Sequence, residues 1–478
     1  MAARESVTQL MRLISSASCK CPHHSQKFSS ALPGAHVCSS KHHATSAAPD
    51  SSSKEYAFEM AMSNIRYGEG VTQEVGMDLN NLGCKKVVLF TDEGIKATPI
   101  HSAVLDSLNK NNVNYDIYDR TRVEPSDKSF KDAIEFCRAG SYDGYLAVGG
   151  GSVMDTCKAA NLYASKPDAD FMDYVNAPIG KGLPVTHKVN PMLAIPTTSG
   201  TGSETTGVAV FDLEDMKAKT GIANRAIRPL LGIVDPLHTR YMPERVFAYS
   251  GFDVLCHALE SYTALPFNER TPRPLDPKER PAYQGSNPIS DIWSKHALRI
   301  VSKYFKRGVY NADDMEARSN MHLASTIAGI GFGNAGVHLC HGLSYPIAGM
   351  VRSFKPDGYV ADHPTVPHGL SVVITSPQVF DFTAPACPER HLEGAELLGA
   401  DITNAKRADA GKILADVMRG YMHDMKIEDG LKPLGYTTDD IPAMVEAVKP
   451  QTRVTKLSPR EKTDDDIAMI FEKSMSVY

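Results

Sequence analysis

The chain has 478 residues, of which 42% are hydrophobic and 22% are charged, a composition typical of a globular protein. This length exceeds the roughly 250–300 residues of a single core and predicts at least two domains. A net charge of −5 gives no general reason to bind nucleic acid or an acidic membrane, and no apolar run approaches the roughly 18 residues of a membrane-spanning helix. We therefore expect no nucleic-acid partner and no membrane.

Residues 1–50 differ from the rest of the chain. They are rich in Ser, Ala and His, hold few acidic residues, and could begin with a short amphipathic helix at 7–14; their basic residues are Arg4, Arg12, Lys20, Lys27 and Lys41. This composition predicts a leader for import into the mitochondrial matrix. A disordered cytosolic tail and a chloroplast leader are the alternatives. Nine cysteines without paired CxxC sets indicate neither a structural zinc site nor a disulfide framework.

Residues 51–238 alternate short apolar runs with helix-length segments. The predicted strands are KKVVLFTDEG (85–94), VNYDIYD (113–119), YDGYLAVGGG (142–151), PMLAIPTTSG (191–200) and LGIVDP (231–236). Strands separated by helices predict an α/β domain with a mostly parallel sheet and helices on both faces.

Residues 239–478 read as an all-helical domain. The clearest helical patterns span 245–264, 289–305, 316–345 and 408–425, and a Pro- and Arg-rich stretch at 267–288 predicts a long loop between two helices. Loops of that length are usually functional or mobile.

Two loops in the α/β domain suit a dinucleotide. Three glycines stand between a predicted strand and a helix at 149–151, and PTTSGTGSETT (196–206) crowds hydroxyls after the next strand. Glycine frees backbone N–H groups and a helix N-terminus to face a pyrophosphate, although a tight turn needs glycine in any case. The carboxyl ends of parallel strands form the ligand edge of such sheets. The candidate nucleotide-binding residues are Asp92, Gly149, Gly150, Gly151, Ser152, Asp155, Thr197, Thr198, Gly200, Thr201 and Ser203. Asp92, which closes a strand, could bind an adenosine ribose and so favours NAD.

The helical domain offers metal ligands. Asp253 and His257 are four residues apart, so that they share one face of a helix, and further imidazoles follow at His338 or His341 and at His368. One carboxylate with three imidazoles suits Fe(II), Zn(II) or a similar ion. The alternative is a helix-capping acid and ordinary helical histidines.

Four ordered motifs resemble the iron-containing alcohol dehydrogenase family: GGGSVMDTCKAAN, PTTSGTGSETT, GFDVLCHALESYT and PHG. The resemblance implies an NAD-binding α/β domain, a helical metal domain, and metal ligands at Asp253, His257, His341 and His368. It also puts Tyr345 among the catalytic residues, where many relatives carry a histidine. Whether Tyr345 joins proton transfer, or His338 or His363 compensates, stays open.

Within the family, FEMAMSNIRYG and GNAGVHLCHG resemble members that pass hydride between a hydroxy acid and an oxo acid. This implies oxidation of 4-hydroxybutyrate to succinate semialdehyde, coupled to reduction of 2-oxoglutarate to 2-hydroxyglutarate, with NAD(H) tightly bound and a divalent metal, most readily Fe(II). We expect a homo-oligomer, a dimer. Both substrates carry carboxylates and call for a cation. The candidates are Arg270, Arg273, Lys278 and Arg280, and the alternative is a solvated basic loop.

Three rival functions remain. The first is an NAD-dependent alcohol dehydrogenase of the same family that releases NADH in each turnover. The second is a lyase similar to the sugar-phosphate cyclases, which would need clustered basic residues for a substrate phosphate. The third is a scaffold with a vestigial site, against which the intact candidate ligands and glycine loops argue.

Overall fold

The computed structural model describes residues 52–216 and 218–478. The described residues belong to one compact unit, and the boundary at 238/239 stays a prediction. The predicted leader, 1–50, lies outside the described residues.

A parallel sheet forms the centre of the N-terminal part. The strands of the described residues are β1 (Asn64–Tyr67), β2 (Val87–Phe90), β3 (Tyr115–Tyr118), β4 (Gly144–Gly149), β5 (Met192–Pro196), β6 (Val208–Leu213), β7 (Ala218–Ala223) and β8 (Leu231–Val234). Six of them form one sheet in the order β1-β8-β5-β4-β2-β3, and every pair in it is parallel. The sequence predicted five of the six. It missed the half-exposed edge strand β1 and the antiparallel hairpin of β6 and β7.

Helices cover both faces of this sheet. They are α1 (Val75–Asn81), α2 (Glu93–Lys96), α3 (Pro99–Lys110), α4 (Asp127–Gly140), α5 (Gly151–Ala164) and α6 (Phe171–Tyr174). Apolar side chains of α1 and α3 join Val87 and Leu89 in one core cluster, whereas α4 and α5 join Val88 and Phe90 in another. Successive residues of β2 point to opposite faces, as strand geometry requires.

The sheet has a change of direction between β2 and β4. These strands are neighbours, but the chain leaves β2 for β3 on one side and leaves β4 for β5 on the other. In doubly wound sheets, such a point opens a crevice at the carboxyl ends of the two strands, where ligands bind. The loops that begin at Thr91 and Gly150 flank this crevice.

The C-terminal part is helical. Its helices are α7 (Glu244–Thr263), α8 (Pro288–Tyr310), α9 (Met315–Ala335), α10 (Leu339–Gly349), α11 (His368–Val373), α12 (Ser376–Thr383), α13 (Pro388–Leu397), α14 (Ala410–Asp424), α15 (Ile441–Val448), α16 (Thr452–Thr455) and α17 (Asp464–Lys473). Most of them share one large apolar core. The predicted fold class, a mostly parallel α/β part followed by a helical part, is confirmed.

One predicted helix is wrong. The pattern at 316–345 reads as a single helix, but the chain breaks after Ala335, and α9 and α10 meet at an angle of 103°. Gly336 has φ +93°, a conformation that glycine adopts without strain. The break gives α10 a new direction and its own N-terminal turn, which carries His341.

No single helix among the described residues has the length and apolar composition to cross a membrane. The bent pair of α9 and α10 has both only when the two helices are taken together.

Candidate metal and nucleotide site

A cavity of about 400 Å³ opens at the carboxyl edge of the sheet. The loops after β2, β4 and β5 form one part of its wall, and α7, α10 and α11 form another. The cavity therefore joins the crevice of the sheet to the helices that carry the candidate metal ligands.

Helix α7 carries the first two of these ligands. Asp253 and His257 are both buried, and Nε2 of His257 lies 3.6 Å from Oδ1 of Asp253. Their spacing of four residues places both side chains on one face of α7, as the sequence predicts.

Two further histidines reach the same carboxylate oxygen. Nε2 of His341, in the first turn of α10, lies 3.5 Å from Oδ1 of Asp253, and Nε2 of His368, the first residue of α11, lies 3.8 Å from it. Ligand atoms of Asp253, His341 and His368 all lie within 4.8 Å of one another. His257 is outside this group of three, because its imidazole stacks on Phe332 with a centroid distance of 3.8 Å.

The donor atoms fit a divalent cation. Oδ1 of Asp253 and Nε2 of His341 are buried without a hydrogen-bond partner, and such orphan groups are costly unless something binds them. A carboxylate with imidazole nitrogens is the donor set that zinc and ferrous ions take in proteins.

The pKa shifts of Asp253 and His341 also favour a bound cation. Burial by itself raises the pKa of Asp253, but the facing His257, His368 and His341 hold that pKa well below its ordinary value. Burial lowers the pKa of His341, yet Glu260 and Asp253 together raise it to about 10. A site that holds a proton so firmly attracts positive charge, and a metal ion would compete with that proton.

Glu260 is a partner of the candidate ligand His341 that sequence reasoning missed. Its Oε2 accepts a hydrogen bond from Nδ1 of His341, while its Oε1 accepts from the backbone N–H of His338 at 3.0 Å and of Cys340 at 2.7 Å. The hydrogen bond at Nδ1 leaves the lone pair of Nε2 free toward Asp253, and carboxylates hold metal-binding histidines in this way. The signal was present in the sequence, because Glu260 follows Asp253 by seven residues and shares its helix face.

The other two histidines considered from the sequence do not line the cavity. His338 is fully buried at the break between α9 and α10, where its Nε2 lies 3.0 Å from Oγ1 of Thr263. His363 hydrogen-bonds Asp362 at 2.8 Å and lines a second, smaller cavity. The structure thus brings His341, not His338, to Asp253.

The glycine turn after β4 forms the N-terminus of α5. Gly150 and Gly151 line the cavity, and a Cβ on Gly151 would lie 2.7 Å from Cγ2 of Thr201. Thr197 and Thr198 line it from the neighbouring strand end, since Gly149 pairs with Pro196 across β4 and β5. Backbone N–H groups at a helix N-terminus attract phosphate.

Three more candidate residues line the cavity and form hydrogen bonds within the protein: Ser203, Asp155 and Ser152. Oγ of Ser203 donates to Oδ1 of Asp155 at 2.8 Å, and Nζ of the buried Lys158 donates to Oγ of Ser203. Oγ of Ser152 accepts from the backbone N–H of Glu124 at 3.1 Å. These contacts hold the two nucleotide loops and the start of α5 together.

Asp92 lies in the cavity wall and caps a helix. Its Oδ1 accepts a hydrogen bond from the backbone N–H of Ile95 at 2.9 Å, which satisfies the N-terminus of α2. Burial raises the pKa of Asp92. The second carboxylate oxygen is the group that a ribose could use.

Two of the predicted nucleotide-binding glycines do not line the cavity. A Cβ on Gly149 would lie 2.4 Å from Cγ2 of Val153, and a Cβ on Gly200 would lie 2.8 Å from Cβ of Ser250. Both positions are glycine because neighbouring elements pack closely there.

The basic side chains of the predicted carboxylate-binding loop do not line the cavity, although Tyr283 of the same loop does. Arg270, Arg273, Lys278 and Arg280 are all absent from the cavity wall. Arg280 pairs with Glu55 at 3.1 Å and is not solvated, because its side chain is 9% exposed. The four basic side chains therefore stay candidates without a contact to the cavity, and Glu55, about 225 residues away in the chain, neutralises one of them, Arg280.

Tyr345 lines the cavity one turn after His341 on α10. Its hydroxyl accepts a hydrogen bond from Nη2 of Arg453 at 3.1 Å. Arg453 also lines the cavity, and no motif in the sequence marked it.

Comparisons with known proteins give a consistent result. The family model "Iron-containing alcohol dehydrogenase" matches residues 63–236, and "Fe-containing alcohol dehydrogenase family, C-terminal" matches residues 282–475. The chain is 62% identical over 478 residues to a protein of Xenopus tropicalis named "Hydroxyacid-oxoacid transhydrogenase, mitochondrial", with 100% of both chains covered. It is 59% identical over 477 residues to the Homo sapiens protein of the same name, covering 100% of this chain and 99% of that one.

Solved structures share the fold. The structure described as 1,3-propanediol oxidoreductase has a TM-score of 0.76 and 26% identity, and the match covers 88% of this chain and 100% of that chain. The resemblance that the four sequence motifs indicate is confirmed.

Proposed function

The chain belongs to the iron-containing alcohol dehydrogenase family, and from that membership we propose that it is a mitochondrial hydroxyacid–oxoacid transhydrogenase. The observation that carries the proposal is the convergence of Asp253, His341 and His368 on the same cavity that the nucleotide loops enter. Relatives about 60% identical over their whole length carry that name, which supports the same activity here.

We propose that Asp253, His257, His341 and His368 hold a divalent metal, most readily Fe(II), with Zn(II) as the alternative. A metal in such a site supplies Lewis-acid polarisation of a carbon–oxygen bond. His257 lies 3.6 Å from Asp253 on the same face of α7, and we assign it as the fourth ligand. Glu260 fixes the tautomer of His341, so that its Nε2 stays available as an acceptor.

We propose that NAD(H) occupies the crevice, with its pyrophosphate at Gly150 and Gly151 and its adenosine ribose near Asp92. NAD supplies a hydride acceptor and, once reduced, a hydride donor. Asp155, Ser203 and Lys158 keep the two loops in a fixed relation. Buried apolar and aromatic side chains such as Phe332 and Val337 line the wall beside the metal ligands and exclude water from the reacting atoms.

The proposed substrates are 4-hydroxybutyrate and 2-oxoglutarate. Oxidation of the hydroxy acid to succinate semialdehyde removes one hydride and one proton, and reduction of the oxo acid to 2-hydroxyglutarate consumes both. The coupled reaction is balanced without free nucleotide, so tightly bound NAD(H) suffices. We place the enzyme in the mitochondrial matrix as a homodimer.

The test follows one deuterium atom. Enzyme of known metal and nucleotide content, 4-hydroxybutyrate deuterated at C4 and 2-oxoglutarate are mixed without added nucleotide, and the products are examined by mass spectrometry. The proposal predicts deuterium at C2 of 2-hydroxyglutarate. A rate that depends on added NAD⁺, with NADH accumulating, would instead identify an ordinary dehydrogenase of the same family.

Asp253→Asn is the matched loss-of-site variant. It keeps the shape of the side chain and removes the charge that all three histidines face. We expect it to lose deuterium transfer together with bound metal. A lyase similar to the sugar-phosphate cyclases is disfavoured, because Arg453 is the only Lys or Arg among the described residues of the cavity wall, and one cation is not a phosphate-binding cluster.

A further inference from the structure

Arg453 is a cation with an unused donor in the wall of the cavity. Its Nη2 donates to the hydroxyl of Tyr345 at 3.1 Å, and its guanidinium stacks over the ring of Tyr283, 4.7 Å from the centroid. Its Nη1 is buried and has no hydrogen-bond partner. Two aromatic side chains therefore hold the guanidinium, while Nη1 is left without a hydrogen-bond partner.

The charge of Arg453 is also uncompensated. No carboxylate among the described residues lies within 4.0 Å of its nitrogens, whereas two buried lysines, Lys219 and Lys158, each have an acidic partner that lines the cavity. Lys219 pairs with Glu124 at 2.8 Å and with Asp212 at 3.1 Å, and Lys158 has Asp155 at 3.8 Å. A buried charge without a partner is costly, so such a group indicates that an anion completes the site.

Arg453 lines the same cavity as the candidate metal ligands. Tyr345 follows His341 by one helical turn on α10, so that both side chains stand on one face, and Arg453 joins that face through the hydroxyl of Tyr345. All three residues line the same cavity. Arg453 and the candidate metal ligands therefore face one ligand-binding space.

We propose that Arg453 binds the carboxylate of the hydroxy-acid and oxo-acid substrates, with Tyr345 as the residue that positions it. The inference rests on the proposed function and names the specificity-determining cation that the loop at 267–288 does not provide. A guanidinium donates charge-assisted hydrogen bonds to a carboxylate in the plane of its fork. A carboxylate at Nη1 would satisfy both the unpaired donor and the uncompensated charge.

The nucleotide offers a competing anion, its pyrophosphate. The glycine turn at Gly150 and the N-terminus of α5 already supply the donors that a pyrophosphate needs. Arg453 instead belongs to the wall formed by Tyr283, Phe332, Val337 and Tyr345, beside the metal ligands. The test therefore measures nucleotide content as well as carboxylate binding.

The experiment compares two dead-end ligands of the same shape. Butyrate carries the carboxylate and no hydroxyl, and butyramide is its neutral isostere. Dissociation constants for both ligands are measured by calorimetry, and the KM for 4-hydroxybutyrate by activity, for the wild type, Arg453→Gln, Arg453→Lys and the control Arg273→Gln, whose guanidinium lies over Tyr56 outside the cavity.

We expect Arg453→Gln to weaken butyrate binding and raise the KM about 10- to 100-fold, with much less effect on butyramide. Arg453→Lys should recover part of the loss, and Arg273→Gln should match the wild type. Equal losses for both ligands, or loss of bound nucleotide in Arg453→Gln, would overturn the proposal.

A second variant covers the case in which Arg453→Gln does not fold. Tyr345→Phe removes only the hydroxyl that holds Nη2, and we expect it to weaken butyrate several-fold more than butyramide. Unchanged discrimination between the two ligands in Tyr345→Phe would count against the proposal. Butyrate binding does not require turnover, so its outcome is separate from the deuterium-transfer test of the proposed function.

Discussion

Replacement of Glu260 by Gln tests how the chain prepares His341 for a metal. The amide oxygen of the new side chain can keep the two backbone N–H groups that Glu260 now accepts, at 3.0 Å from His338 and 2.7 Å from Cys340. The amide NH₂ then faces Nδ1 of His341, which must become an acceptor. The proton moves to Nε2 and points at Asp253, 3.5 Å away.

The expected loss can be estimated from this change. Removal of an outer partner of a metal-binding histidine costs about 10- to 100-fold in metal affinity, which is about 1.4–2.7 kcal/mol. We expect Glu260→Gln to fall in that range, because it alters both the charge beside His341 and its tautomer. Stability should change less, since the backbone contacts of the side chain persist.

The assay is competition with a chelator of known affinity, using Zn(II) and Fe(II) in turn at constant pH. Glu204→Gln is the matched control, because Glu204 is 1% exposed, close to the 0% of Glu260, and bonds Thr326 away from the metal cluster. Wild-type metal affinity in Glu260→Gln, or an equal loss in Glu204→Gln, would refute the reasoning.

Three further predictions follow from particular contacts. Gly151→Ala places a Cβ 2.7 Å from Cγ2 of Thr201 and should weaken NAD binding at least 10-fold by calorimetry, while Gly151→Ala combined with Thr201→Ser should recover part of it. Burial lowers the pKa of His391 from 6.5 to about 4, so the unfolded chain binds this proton more readily and stability falls as the pH drops below about 6.5. The free energy of unfolding, measured with urea on chelator-treated protein, should fall by about 2 kcal/mol less between pH 7 and 5 in His391→Gln than in the wild type. An equal fall in both proteins would show that His391 is not the cause. Gly202→Ala, at φ +57° and with a Cβ 2.8 Å from Cα of Gly329, should lower the free energy of unfolding by more than about 1 kcal/mol, and wild-type stability would contradict it.

The pattern of apolar residues along the sequence was sufficient to predict the inner strands of the sheet. Strands β4 and β5 are buried on both faces, so each reads as an unbroken apolar run between turn residues, which is how a central parallel strand differs from a surface element. Strand β1, with the letters NIRY, is short and half-exposed at the edge and offers no such run. Sequence reasoning finds buried strands more readily than edge strands.

The break at Gly336 shows a second limit. Apolar residues continue through 316–345 with helical spacing, and a glycine within such a run is compatible with a continuous helix. Only the positive φ of Gly336, which tertiary packing selects, redirects α10 and brings His341 to Asp253. The pair Asp253 and His257 needed nothing beyond spacing, because one helix sets both positions.

Contacts between distant segments explain the remaining differences. Arg280 looked available in the sequence, but Glu55 pairs with it in the fold. Arg453 lay in no motif, and its role as a candidate depends on Tyr345 and Tyr283, 108 residues away in the first case. Pairings of this kind form only when distant segments pack together, so the sequence of either segment alone does not predict them.

The most direct test of the account is to locate the metal. Crystals of metal-loaded enzyme are measured at the absorption edge of the bound element, and an anomalous difference map is calculated. We predict one strong peak about 2.0–2.2 Å from a carboxylate oxygen of Asp253 and from Nε2 of His341 and His368, with His257 turned toward it. A fully loaded and active enzyme whose peak lies away from Asp253 would contradict the account.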